Sequence, residues 1–101
     1  MADSIKVRTQ LRNGTLTVRL LIRHPMDVGG RKKTGATVAP HFIKEVICSH
    51  NGEIVMQAHW GAGIARNPYL SFIVGNANAG DKLAVRWVDN QGGKDAFETQ
   101  I

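Results

Sequence analysis

A chain of 101 residues has room for one domain with a single modest core. Its apolar fraction of 43% argues against bulk disorder, no run approaches the roughly 18 apolar residues of a membrane span, and one cysteine excludes an intrachain disulfide. The net charge of +5 favours an anionic partner. It is mild for nucleic acid, and no aromatic–glycine stacking motif of the RNA-binding kind accompanies it. Neither nucleic acid nor a membrane is therefore expected as a partner.

Met1-Ala2-Asp3-Ser4 carries neither a basic nor an apolar signal region, so no export signal is expected in the chain itself. Strand alternation follows at once. Ile5, Val7, Thr9 and Leu11 alternate with Lys6, Arg8 and Gln10, a half-buried strand. Asn13-Gly14 is a hairpin signal into Leu16, Val18, Leu20 and Ile22, which alternate with Thr17, Arg19 and Arg23. Leu21 interrupts the polar face there, so part of that face is expected to be covered.

From His24 to Ile43 the alternation stops. This segment is rich in Gly, Pro, Thr and base, and connections longer than ~12–15 residues are uncommon in compact domains unless functional or disordered. Its ends are apolar or aromatic, with Met26 after His24-Pro25 and Phe42-Ile43 after Pro40-His41. An ordered loop pinned at both ends is expected, with Arg31, Lys32 and Lys33 at its tip.

Phe42 to Ser49 then reads as a strand, turned by Asn51-Gly52 into Ile54, Met56, Ala58 and Trp60. Gly61 to Pro68 is a second loop, and Tyr69 to Val74 a short strand with Leu70, Phe72 and Val74 on one face. Gly75 to Asp81 turns into Leu83, Val85 and Trp87. Gln91-Gly92-Gly93 turns into a last strand over Ala96 to Thr99. About seven short strands at this spacing, with no 3.6-residue stripe, predict an all-β fold: an immunoglobulin-like antiparallel β-sandwich spanning residues 1–101 as one domain.

Individual residues give little sign of catalysis. Cys48 lies mid-strand in Val46-Ile47-Cys48-Ser49 with no helix terminus to activate it, which reads as an inert core thiol. Asp81 and Asp89 flank turns, where Asp bonds its own backbone. Trp60, Phe72, Leu83 and Trp87 read as core. Gly61-Ala62-Gly63 with Arg66 lacks the third glycine and βαβ setting of a dinucleotide site. His24, His41, His50 and His59 read as solvated or capping residues, since no metal-ligand spacing is present. They and Cys48 leave open one rival, a small iron-binding oxidoreductase of superoxide reductase type, although that family's Cys-x-x-His is here a mid-chain Cys-x-His.

The order of short motifs resembles the SoxZ family of the bacterial thiosulfate-oxidising system. They are His24, Met26, Gly30-Arg31-Lys32, Gly35, Pro40, Phe42-Ile43, Asn51-Gly52, Trp60-Gly61, Asn67-Pro68, Phe72, Gly80-Asp81-Lys82 and Trp87-Val88-Asp89. The resemblance covers nearly the whole chain and implies the same sandwich. It implies a non-catalytic subunit, with no cofactor, that binds a SoxY-type carrier as a heterodimer. It also implies transient contact with cytochrome, hydrolase and dehydrogenase partners, and residence in the periplasm after export with a signal-bearing partner. The carrier's C-terminal cysteine on a glycine-rich arm has no counterpart in Ala96 to Ile101. With the long loop as the candidate surface, the partner-binding residues expected are Met26, Arg31, Lys32, Lys33, Pro40, Phe42 and Ile43.

Overall fold

Alternation of period two dictates strands that bury one face, and the computed structural model is built from such strands. It describes residues 4–27, 29–31, 35, 37–61 and 63–101, and among these there is no helix. The strands are β1 (Ile5–Arg12), β2 (Thr15–Ile22), β3 (Gly30–Arg31), β4 (Thr37–Val38), β5 (Ile43–His50), β6 (Glu53–His59), β7 (Tyr69–Val74), β8 (Lys82–Asp89) and β9 (Lys94–Gln100). One sheet has the order β1-β2-β7, the other β6-β5-β8-β9, and β3-β4 form a small ribbon. All pairings are antiparallel. The seven long strands make the expected immunoglobulin-like sandwich.

Both Asn-Gly pairs make the turns their chemistry favours. Asn13 and Gly14 have φ of 50° and 77°, and Asn51 and Gly52 have 51° and 85°. A two-residue hairpin of type I′ needs positive φ at both central positions. These turns set the registers Arg12↔Thr15 and His50↔Glu53.

The core lies between the two sheets. Leu16, Val18, Leu20 and Ile22 of β2 meet Ile43, Val46 and Cys48 of β5 and Leu83, Val85 and Trp87 of β8. All of these are buried, whereas Trp60 and Phe72 pack against the core while partly exposed. Fully burying one such aliphatic side chain is worth roughly 1.5–3 kcal/mol, so this inner stripe supplies most of the driving force for folding.

Three local features depart from simple alternation. A bulge in the β5–β6 ladder pairs Ser49 with Ile54 but Cys48 with Met56. It removes Ile54 from the inward set expected of Ile54, Met56 and Ala58, and Ile54 is exposed. The long connection contains the β3–β4 ribbon, with Gly30↔Val38 and Arg31↔Thr37. A ladder two residues long leaves no alternation in the sequence. The last strand also runs further than expected, from Lys94 to Gln100.

Candidate functional site

The inward stripes of two strands each end on a polar residue. In β2, the next inward position after Leu16, Val18, Leu20 and Ile22 is His24; in β8, the position after Leu83, Val85 and Trp87 is Asp89. Both are buried, at 4% and 3% exposure. Burying such groups is unfavourable unless their hydrogen bonds are made, and here they are made to each other. His24 Nε2 donates to Asp89 Oδ2 at 3.2 Å, and His41 Nε2 donates to the same oxygen at 2.8 Å. The other oxygen, Oδ1, accepts from the backbone N–H of Gln91 at 2.9 Å and of Gly93 at 2.6 Å. The carboxylate thus accepts four hydrogen bonds, which matches its capacity.

Burial alone would raise the Asp89 pKa. The hydrogen bonds from His24 and His41, then those from the Gly93 and Gln91 backbone, outweigh it and bring the carboxyl down to about 2. The backbone N–H of Met26 donates to His24 Nδ1 at 3.0 Å. This places the His24 ring proton on Nε2, where it serves as donor to Asp89. His24 also packs edge-on against His41, with centroids 4.6 Å apart, and against Trp87 at 5.2 Å. Trp87 Nε1 in turn donates to Ser4 Oγ at 3.0 Å, and Ser4 Oγ donates to Asp95 Oδ2 at 2.5 Å.

This centre clamps the long loop. Asp27 and His41 exchange backbone hydrogen bonds of 2.6 and 2.8 Å across its base. Asn90 and Phe42 exchange bonds as well: Phe42 N–H to Asn90 Oδ1 at 2.8 Å, and Asn90 N–H to the Phe42 carbonyl at 3.0 Å. The Pro40 carbonyl accepts from Asn90 Nδ2 and Gln91 Nε2. His24 is held to Asn67 through both its N–H and its carbonyl. Met26 has φ of 47°, an uncommon conformation for a residue with a side chain, and it is fixed there by burial and by the Ile43 N–H at 3.3 Å from its sulfur. A bulge in β5 between Ile43 and Glu45, opposite Asp89 and Val88, bends the strand at this point. A Cβ at Gly93 would collide with the Asp89 carboxylate, so the turn requires glycine there.

The structure corrects part of the sequence reading. His24 is neither solvated nor a cap but the partner of a buried carboxylate, and His41 joins it half-buried. Asp89 does support its turn, as expected, and also takes both imidazoles. Asp81 sits at the opposite end of β8, where its pKa is lowered by the Asn78 backbone N–H first, then by His50 and Asn51. His50 Nε2 lies 2.7 Å from Asp81, and His59 lies 3.7 Å from Glu45 in a largely exposed pair. Cys48 is buried, and that burial pushes its thiol up to about 11. Of the expected partner-binding residues, Met26 and Ile43 are core residues that hold the loop root from inside. Their side chains offer no contact surface. Pro40 is exposed and Phe42 half-buried at the rim. The backbone of Arg31 lies in β3; Lys32 and Lys33 fall outside the described residues.

His24, His41 and Asp89 are close enough to hold a metal ion, with ligand atoms within 4.8 Å of one another. The hydrogen-bond pattern argues otherwise. With Nδ1 accepting from Met26, Nε2 of His24 could bind a metal only as an imidazolate. The four histidines and Cys48 of the iron-centre alternative are spread over several places: His24 with His41, His50 with Asp81, His59 with Glu45, and Cys48 in the core. The arrangement is a hydrogen-bonded clamp that positions a loop.

A search of curated proteins finds no match to this sequence. Residues 5–100, nearly all of both sheets and the clamped loop between them, match the family described as sulphur oxidation protein SoxZ, and the chain belongs to that family.

Proposed function

We propose that this chain is the non-catalytic subunit that holds a SoxY-type sulfur carrier in the heterodimer at the centre of thiosulfate oxidation. Its place of action is the periplasm, reached by export with a signal-bearing partner. The carrier's cysteine would carry the sulfur cargo past cytochrome, hydrolase and dehydrogenase partners, while this chain keeps the carrier folded and presented. A buried thiol pushed up to about 11 and a histidine–carboxylate centre saturated with hydrogen bonds support a role without chemistry of its own.

The observation that carries the proposal is the outer face of the four-stranded sheet. Antiparallel sandwiches normally turn polar side chains outward. Here Ile47, Ile54, Ala84, Val88 and Ala96 line two adjoining hollows of about 420 and 610 Å³, which share Arg86 and Ala96. These small and aliphatic residues, interleaved with Glu45, Arg86, Lys94 and Glu98, form a concave surface of mixed character that a second sandwich can fill, and apolar groups exposed within a polar rim mark interaction sites. A stable heterodimer would bury about 1,200–2,000 Å² in total. Co-expression with the carrier tests this: wild type should elute as a one-to-one complex, and Ala84→Glu should fold but fail to form it. Equal complex formation by Ala84→Glu would rule out this face.

A further inference from the structure

The charge of the molecule is unevenly placed. On the outer face of the three-stranded sheet, register puts Lys6, Leu21 and Tyr69 in one row, Arg8, Arg19 and Ser71 in the next, and Gln10, Thr17 and Ile73 in a third. Arg12 and Thr15 lie beyond them, and Arg23 continues the same parity at the other end. Lys6, Arg8, Arg12, Arg19 and Arg23 are all exposed, and β1, β2 and β7 contain no Asp or Glu. The other eight Lys and Arg of the chain are matched by its eight Asp and Glu, so these five cations equal its whole net charge of +5.

None of the five is paired with a carboxylate among the described residues, whose ion pairs lie elsewhere. Arg8 and Arg19 are direct cross-strand neighbours. Like charges in that position destabilise a sheet. The pairing is therefore unfavourable in the isolated chain, and an outside anion would relieve it.

We propose that this face is an electrostatic docking surface for a second protein with a carboxylate-rich surface, separate from the face offered to the carrier. Four of the five cations are Arg, whose planar fork pairs bidentately with carboxylates and which is enriched at protein interfaces where Lys is depleted. Leu21 stands between Arg19 and Arg23, and Tyr69 and Ile73 flank them on the edge strand β7, exposed by 37%, 62% and 70% in turn. Apolar anchors among arginines suit a protein surface; a phosphodiester backbone would leave Leu21 and Ile73 without partners. The cations run from Arg12 to Lys6 and on to Arg23, a stripe about 26 Å long at the rise of a strand. In the carrier complex, whose existence this step takes from the preceding proposal, the two sheets would face two different proteins.

The test pairs two measurements on one double variant, Arg8→Gln with Arg19→Gln. Association of the carrier complex with each purified enzyme that processes the carrier is followed by stopped flow. A DNA duplex and phosphatidylglycerol vesicles serve as alternative anionic probes. Carrier binding is measured separately. The expected result is a fall of about tenfold in association rate with at least one acidic enzyme at low salt. That difference should vanish at high salt as screening takes over, with carrier binding unchanged. Unchanged association with every enzyme overturns the proposal. So does loss of carrier binding in the variant, which would make this face the carrier's own. Arginine-dependent binding confined to DNA or vesicles overturns it too. If wild type fails to bind the carrier, the preceding proposal falls, and the enzyme arm is still read on the chain alone.

Discussion

His24 and Asp89, 65 residues apart in sequence, hydrogen-bond at 3.2 Å across the sandwich, each at the next inward position beyond an apolar stripe. They join the end of a strand in one sheet to the end of a strand in the other. The buried carboxylate also takes His41, so the long loop is tied at both its ends to the same atom, Asp89 Oδ2.

Removing that atom should be costly. Asp89→Ala leaves two imidazole N–H groups and two backbone N–H groups without their acceptor, and breaking a buried charged network costs roughly 3–5 kcal/mol. Denaturant unfolding should show a loss in that range. Gly93→Ala should reproduce part of it by displacing the carboxylate, while His41→Ala, at a half-exposed position, should cost about 1–2 kcal/mol.

The same centre sets an acid limit. The Asp89 pKa is lowered from 3.8 to about 2, so its stabilisation is fully present above pH 3.8 and is lost as pH falls through about 2. Stability measured between pH 5 and 2 should fall more steeply in wild type than in Asp89→Asn, which starts lower. Parallel slopes would mean that Asp89 does not titrate in this way.

Cys48→Ser should lower stability by about 1–3 kcal/mol, because a hydroxyl enters an apolar core, yet leave thiosulfate turnover by the reconstituted system intact. In the folded protein at pH 8 the thiol should resist alkylation, as burial pushes its pKa up to about 11. Lost turnover in a folded, carrier-bound variant would point to a thiol role.

Relieving the Arg8–Arg19 repulsion should stabilise the isolated chain. Arg19→Gln should gain about 0.2–1 kcal/mol, read as a higher Tm at low salt that converges with wild type at high salt. A basic face that stabilises its own sheet would give the opposite sign.

Neutralising Arg31, Lys32 and Lys33 together, the basic cluster that the sequence places in the long loop, should slow association with acidic partners more than it lowers stability, as expected of charges that act by steering. Stopped-flow rates at low salt check this; wild-type rates in the triple variant would make the tip a solvated turn.

Most of the fold was legible because its signals are local: period-two alternation in β1, β2 and β8, and Asn-Gly at 13–14 and 51–52. The clamp was harder to see. Extending the alternation of β2 by one step reaches His24, and that of β8 reaches Asp89, so a signal existed in two places. What links them is contact between residues far apart in the chain. His41 shows no such period, because its position follows from the bridge with Asp27 and the bulge after Ile43. The ribbon of β3 and β4 is too short to alternate. Met26 and Ile43 were legible as loop roots, but their inward direction depends on a positive φ and a bulge that leave no compositional trace.

The central claim is that this chain completes itself with a carrier on the outer face of the four-stranded sheet. Sedimentation of the purified chain, alone and with a SoxY-type carrier, tests it most directly. The account predicts self-association or aggregation of the isolated chain through the apolar residues of that face, and a soluble one-to-one complex with a raised melting temperature once the carrier is added. A monodisperse, thermally robust monomer that ignores the carrier would contradict it.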